Sequence, residues 1–256
     1  MTFSEQVEIM REGGTILTSV LKILKEKIEP GVKASELDAL AEKLILEAGA
    51  KPAFKNYHPN FCKEPYPYSL CVSINEIVVH GLSSENLIIK DGDIVSLDLG
   101  VKFKNYFTDA AITVGAGKIS KENKKLILAT RKALENAIKI TAAGNTFGDI
   151  GWEVESTIMD YGFKPIRDLC GHDIGEFLHG NLQVLNFGDP GTGNKIKGGM
   201  IFTIEPMASI SSQFSLQCNP SQCPFRTEDN SVSAHFEATL AIFEDKTLVL
   251  TPVLGI

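Results

Sequence analysis

Five side chains in this sequence stand where a charge or a polar ring is costly. Asp98 lies in Ile94-Val-Ser-Leu-Asp-Leu-Gly and Asp109 in Tyr106-Phe-Thr-Asp-Ala-Ala-Ile-Thr. Both stretches read as strands of apolar and β-branched residues. Glu205 ends Phe202-Thr-Ile-Glu and precedes Pro206, which forces an extended backbone on the acid. Glu237 lies in Ser233-Ala-His-Phe-Glu-Ala-Thr, where alternation puts His235, Glu237 and Thr239 on one face. His172 follows Gly171 in a loop, His179 comes one short turn later, and His80 ends Ile77-Val-Val-His. Residues 102–105 are polar and read as a hairpin turn. A turn centred on Phe103 and Lys104 predicts Asp98 directly opposite Asp109, with Cβ atoms about 4.5–5.5 Å apart. Like charges that close in an apolar sheet need a cation or a proton between them. Exposed strand edges are the alternative for the two aspartates alone.

Taken together, four carboxylates and one imidazole form a hard-to-borderline donor set. Such a set suits a pair of divalent ions such as Mn, Fe, Co or Zn. Two ions about 3.5–4 Å apart can activate a water and polarise a carbonyl, which is the chemistry of metal-assisted hydrolysis.

The elements that would hold these residues occur twice. Residues 31–52 read GVKASELDALAEKLILEAGAKP, and residues 144–165 read GNTFGDIGWEVESTIMDYGFKP, without a gap. Glu36 matches Asp149, Leu37 matches Ile150, and Gly49-Ala-Lys-Pro matches Gly162-Phe-Lys-Pro. Both read as amphipathic helices ending on a glycine cap, and each follows another helix, at about residues 4–28 and 121–140. A second correspondence follows each copy: DGDIVSLD at 91–98 and GGMIFTIE at 198–205 are glycine turns leading into strands that end on an acid. The expectation is an α+β fold of two repeated halves, roughly 1–115 and 116–256, facing each other across a central site. No linker composition separates them, so the whole of 1–256 reads as one domain.

The bulk properties narrow the function classes. The net charge is −7, and no run of Lys or Arg is long enough to track phosphates, so nucleic acid is not expected as the primary ligand. No segment approaches the ~20 apolar residues of a membrane span. The N-terminus shows no basic start followed by an apolar stretch, so no secretory signal is expected. Five cysteines, an odd number, argue against a disulfide framework and for a reducing compartment, taken as the cytoplasm. Cys218 and Cys223 match neither a zinc-knuckle nor a redox spacing, and free thiols are expected there.

With these residues in place, the chain resembles type I methionine aminopeptidases. The likeness runs from MREGG near the start to SAHFEAT near the end, through NEIVVHG, DGDIVSLD, the Thr108-Asp109 pair, GHDIG and FTIEPM. It implies the pita-bread fold, an α+β architecture with pseudo-two-fold symmetry. The implied activity is removal of the first methionine from new polypeptides, with a small second residue preferred. By the same resemblance Asp98 is a ligand of one metal, Asp109 and Glu237 bridge both, and His172 and Glu205 hold the second. Glu205 would also move the proton of the attacking water. His80 and His179 match the family's two substrate histidines, with His179 placed to stabilise the tetrahedral intermediate. Tyr66, Cys71 and Leu178 fall where the family lines its methionine pocket, although Cys71 and Leu178 also read as core residues. The family often binds a monovalent cation through carbonyls near Asn75 and Ser233. The implied partners are nascent N-termini, with a ribosome contact left open and no membrane.

Several positions depart from the family pattern. Asp173 replaces the second glycine of GHGIG, and Leu182 replaces a proline three residues after His179. His235 replaces a glutamine and Ala238 a histidine; an expected tryptophan is missing, and loop 213–224 is unlike the family. Every ligand position is kept. Xaa-Pro aminopeptidases and prolidases share the ligand set but normally carry a further N-terminal domain, for which no room precedes the first repeat. Met207 after Glu-Pro favours the methionine branch. A non-catalytic paralogue that docks on ribosomes or other proteins is the remaining alternative.

Overall fold

Each half opens with two helices whose starts are fixed by side chains. The computed structural model describes residues 1–59, 62–219 and 222–255. Helix α1 (Phe3–Lys25) begins at Thr2, whose hydroxyl accepts the Glu5 amide while the Glu5 carboxylate accepts the Thr2 amide. Reciprocal bonds of this kind satisfy two of the helix's orphan donors. Helix α2 is Ala34–Glu47. In the second half, α3 (Lys121–Ile140) is capped by Ser120, and α4 (Phe147–Asp160) by Thr146 with Asp149.

The duplication read from sequence is repeated bond for bond in the backbone. The Gly31 amide donates to Ile89 O at 2.8 Å, and the Gly144 amide to Ile196 O at 2.9 Å. The Ala34 amide donates to Leu87 O, and Phe147 to Asn194 O. After the helices, Ala50 donates to Ile45 O and Phe163 to Ile158 O. Gly31 and Gly144 share a φ of +98°, a conformation L side chains rarely adopt, so both positions need glycine.

The first half supplies β1 (Lys51–Pro52), β2 (Cys71–Ile74), β3 (Ile77–Val79), β4 (Ile94–Phe103) and β5 (Tyr106–Gly115). The second supplies β6 (Lys164–Pro165), β7 (Cys170–Gly171), β8 (Val184–Leu185), β9 (Ile201–Ile204) and β10 (Met207–Ser209). After these come β11 (Ser215–Asn219), β12 (Gln222–Thr227), β13 (Ser233–His235), β14 (Glu237–Ile242) and β15 (Thr247–Val249). The main antiparallel sheet runs β2, β4, β5, β14, β9 across its middle, with β1 along β4 and β15 along β14. Helix α1 packs on β4 and β5. Leu97, Leu99, Ala110 and Ile112 from those strands join Leu17 and Leu21 of α1 in one buried cluster. Burying an aliphatic side chain contributes about 1.5–3 kcal/mol, so this face holds the sheet to its helices. Strand β10 lies between β6 and β13, and β12 joins β11 to β3.

Two expectations are corrected. The β4–β5 hairpin turns on Lys104 and Asn105, because Phe103 pairs with Tyr106 and Lys104 takes the left-handed conformation at φ +55°. Asp98 is therefore opposite Ala111, and Asp109 opposite Gly100. The two acids are diagonal neighbours on one face, not a directly opposed pair. The second correction concerns cysteine: Cys62 is bonded to Cys223 across 161 positions of sequence. Cys71, Cys170 and Cys218 are free. The free-thiol expectation therefore holds for Cys218 and fails for Cys223, whose partner is near in space only.

Candidate metal centre

Strand register builds the centre. Across β2, β4, β5 and β14, one rung carries Cys71, Asp98, Ala111 and Glu237. Strand β9 pairs with β14 through Ile204 and Ala238. One residue further along that register, Glu205 faces Glu237 from beyond the end of β9. Asp109 lies two residues before Ala111 on β5, so it projects from the same face. Ala111 contributes only a methyl between Asp98 and Glu237, which leaves the space above it to the carboxylates. Thr239 fixes Asp109 from the neighbouring strand: its hydroxyl accepts the Asp109 amide at 3.0 Å and donates to the Asp109 carbonyl at 2.7 Å.

His172 is presented by a loop zipped to β9. Its amide donates to Thr203 Oγ1 at 3.0 Å, and its carbonyl accepts the Thr203 amide at 2.8 Å. The Thr203 hydroxyl in turn donates to Glu205 Oε1 at 3.1 Å. His172 Nδ1 lies 3.1 Å from the Asp173 carbonyl, which can only accept, so Nδ1 carries the hydrogen and Nε2 the lone pair. That lone pair faces Glu205 Oε1 at 3.8 Å. Two acceptors pointed at each other call for a cation or a proton between them. A ring nitrogen bonded to a carbonyl, with the other left for a ligand, is the usual arrangement of a metal-binding histidine.

The donor atoms fall into three overlapping groups, each with its atoms within 4.8 Å of one another. They are Asp98, Asp109 and Glu237; His172, Glu205 and Glu237; and Asp109, His172 and His179. Asp98, Asp109 and Glu237 are buried, and one oxygen of each has no hydrogen-bond partner among the described residues. Buried polar atoms are nearly always satisfied, and an ion is a standard explanation for an exception. The donor set fits divalent metal.

Burial pushes every titratable group here toward its neutral form. It raises Asp98 to about 7, against the lowering effect of bonds to Asp109 and Cys71. Burial also raises Asp109, helped by Asp98 and Glu205, and raises Glu205, helped by Asp98. It raises Glu237 likewise, with Asp109, Glu205 and Asp98 adding to it. The imidazoles move the other way for the same first reason: His80 falls to about 4, His235 to about 3, and His172 falls too. His179 also falls, through loss of water around its ring and then through His172 and His80. This holds even though the residue reaches the surface, because its inner side packs on His172 at 4.4 Å and on Tyr57 at 5.0 Å between ring centroids.

A cavity of about 600 Å³ opens over the acids. All five candidate ligands line it, with His80, His179, Tyr66 and Cys71. Leu178 does not line it. It is buried beside Tyr66 and Cys71 in the apolar cluster behind the wall, while its neighbour Phe177 points outward. The Tyr66 hydroxyl lies 2.6 Å from Gly81 O, so the ring and not the phenol faces the cavity. His80 sits at φ +58°, uncommon for a residue with a side chain, and its Nδ1 lies 3.2 Å from Cys223 O. A second cleft of about 600 Å³ shares Asn181 and Gln183 with this one but contains none of the candidates.

Sequence reasoning gave no site role to several of the lining residues, among them Phe54, Tyr57, Phe225 and His235. His235 was legible, two residues before Glu237 on the same face. It is buried, neither ring nitrogen has a hydrogen-bond partner among the described residues, and Nε2 lies 3.9 Å from Glu205 Oε2. The divergent loop 213–224 forms most of the β11–β12 hairpin, which places Phe225 against His80; its residues 220 and 221 lie outside the described residues.

Known proteins agree with this geometry. The sequence pattern of metallopeptidase family M24 matches residues 8–244. A methionine aminopeptidase of Aquifex aeolicus is 41% identical over 248 residues, 96% of each chain. One from Clostridium perfringens is 39% identical over 246 residues, again 96% of each. The crystal structure of methionine aminopeptidase from Thermotoga maritima superposes with a TM-score of 0.91 at 36% identity, covering 96% of both chains. Prolidase from Pyrococcus furiosus gives 0.73 at 22% identity, over 96% of this chain and 64% of the prolidase, a likeness of fold alone. The pita-bread architecture expected from the sequence is the one observed.

Proposed function

The chain belongs to metallopeptidase family M24, and from that membership we propose that it removes the first methionine of new polypeptides by hydrolysis. The observation that carries this reading is the strand rung of buried carboxylates with unsatisfied oxygens beneath an open cavity. Near-full-length likeness to methionine aminopeptidases supports the substrate class. The 22% identity to prolidase is a likeness of fold alone and gives the Xaa-Pro alternative no such support. Retention of all five donors speaks against a non-catalytic paralogue.

Two divalent ions, of Co, Mn, Fe or Zn, fit the charge balance. Four carboxylates carry four negative charges, and the imidazoles are held neutral by burial. Asp98 would hold one ion, Asp109 and Glu237 would be shared between the two, and His172 and Glu205 would hold the other. Asp109 and Glu237 each share one donor group with Asp98 and another with His172, which supports the bridging roles. Bound there, the ions supply Lewis-acid polarisation of the scissile carbonyl and a water acidic enough to attack at neutral pH. Glu205 takes the proton from the attacking water and passes it toward the leaving amine. His179, a neutral imidazole, donates its N–H to the oxygen of the tetrahedral intermediate. His80 is oriented by the Cys223 carbonyl and contacts the substrate. Tyr66 and Cys71 line the methionine side-chain pocket, which favours a small second residue.

The reading extends to surroundings. Newly made chains as substrates place the work in the cytoplasm, where a ribosome contact would bring enzyme to substrate. No helix among the described residues is long and apolar enough to cross a membrane. A monovalent cation site is supported by the Asn75 and Ile77 carbonyls, which converge on the Ser233 hydroxyl at 2.8 and 3.2 Å. Residues 1–256 act as one catalytic domain.

A Met-Gly-Met peptide assayed with and without chelator tests the reading. Metal-dependent release of methionine is expected. Release that survives the chelator, or none with any of the four metals, would overturn it. In a panel of second residues, Met-Ala and Met-Gly should outrun peptides with Leu or Pro, and the reverse order would sink the specificity.

A further inference from the structure

His179 stands on a short excursion of chain that leaves β9 and comes back. Before it, residues 172–174 are zipped to β9: His172 is tied to Thr203 on both sides, and the Ile174 amide donates to Ile201 O at 3.3 Å. After it, the chain returns to a single residue, Asp173. The Gly180 amide donates to the Asp173 carbonyl at 2.9 Å, the same carbonyl that lies 3.1 Å from His172 Nδ1. The Leu182 amide donates to Asp173 Oδ1 at 2.7 Å. Gly180 permits the closeness, since any Cβ there would overlap the Asp173 carboxylate.

We propose that the Asp173 carboxylate and the Leu182 amide form a clasp that positions His179 over His172. Asp173 is a positioning residue and touches no substrate. The two residues are partners in the physical sense: the aspartate at 173 accepts the hydrogen that the amide at 182 donates. Proline, the residue without an amide hydrogen, could not serve at 182 beside Asp173. The clasp closes the C-terminal side of the excursion of residues 174–179, whose Gly175 carbonyl also accepts the Phe107 amide, and the His179 ring lies 4.4 Å from the His172 ring. Catalysis is sensitive to such placement, and an error near 1 Å can cost about a hundredfold.

This inference rests on His179 acting on the substrate, so His179→Ala is measured alongside. The variants are Asp173→Ala, Asp173→Asn, Leu182→Pro and Asp173→Ala/Leu182→Pro, with kcat, KM and Mn(II) affinity by calorimetry. Asp173→Ala and Leu182→Pro should each lower kcat by about ten- to a hundredfold, with KM and Mn(II) affinity near wild type. Asp173→Asn keeps an acceptor oxygen and should keep most of kcat. The double variant should be no slower than the worse single one, because both remove the same contact. Full kcat in Asp173→Ala and Leu182→Pro overturns the clasp, as does a loss that Asp173→Asn shares, or two losses that multiply. Failure of both singles to fold also overturns it, since the contact would then be structural only. If His179→Ala itself is silent, the underlying role of His179 fails, whatever the clasp variants do.

Discussion

The acids of the centre and its histidines belong to regions made in different ways. Asp98, Asp109 and Glu237 sit within a ladder of antiparallel strands, and Glu205 one residue beyond it, so backbone pairing on both sides sets their spacing. His80, His172 and His179 stand on loops, and the rings of His80 and His172 are each oriented by one backbone carbonyl. The floor is set by strand register and the rim by loop contacts. Four of the five candidate donors lie on paired strands or next to them, and the fifth, His172, lies on a rim loop bonded to Thr203 of β9. Electrostatics divides the regions again, since burial raises the floor's acids and lowers the rim's imidazoles. Without ions both regions are driven toward neutrality, and the floor has the more to regain when ions bind.

The largest break in that comparison should come from the floor. Asp109→Ala should lose metal retention and activity together, because its carboxylate belongs to two donor groups. Metal content by atomic emission and turnover after adding metal back are the measurements. Full activity would mean the floor is not a shared centre.

A rim change should separate chemistry from metal. His179→Ala should keep its metal and lose kcat by about 10²–10³, with KM little changed. His172→Ala should instead lose affinity for one ion. Equal loss of metal from both variants would erase the distinction between ligand and substrate group.

A smaller effect concerns pH in the metal-free protein. The folded-state pKa of Asp98 lies at about 7, above its ordinary 3.8, so the folded chain holds a proton that the unfolded chain releases. Below 3.8 both states are protonated and the group is neutral to stability. Between 3.8 and about 7 its contribution becomes steadily more unfavourable, then levels off. In chelator, Asp98→Asn should therefore gain on wild type in urea midpoint as pH rises through that window. A constant difference across the window would remove the electrostatic account of the floor.

The smallest change tests the seam between the regions. Thr203 joins the His172 amide to the Glu205 carboxylate. Thr203→Val leaves a donor without its partner and should cost about 1–3 kcal/mol in denaturant unfolding. An unchanged midpoint would show that floor and rim are held independently.

The floor was legible in the sequence and the rim only in part. A carboxylate in a run of apolar, β-branched residues announces itself, and Asp98, Asp109, Glu205 and Glu237 were found that way. Their register was not, because a turn on Phe103 and Lys104 fits the composition as well as the observed turn on Lys104 and Asn105. Moving the turn by one residue shifts the register by two and keeps both acids on one face, and that choice is decided by left-handed backbone at Lys104, which its side chain does not advertise. Leu178 and Phe177 are both large and apolar, and pattern alone does not say which faces inward. The halves of the fold were visible because each copy carries its own caps and glycine turns. Cys62 and Cys223 left no trace, since nothing local relates positions 161 apart.

That cysteine pair has a topological consequence. The bond closes residues 62–223 into a ring of chain that contains Asp98, Asp109, His172 and Glu205, while Glu237 hangs on the tail outside it. A protease that nicks the ring once opens it without dividing the molecule. With the bond intact, nicked protein runs as a single band on a denaturing gel, and a dithiol splits it into two. The four donors within the ring stay covalently tethered to one another after a cut, so a clipped chain retains the means to reassemble its centre.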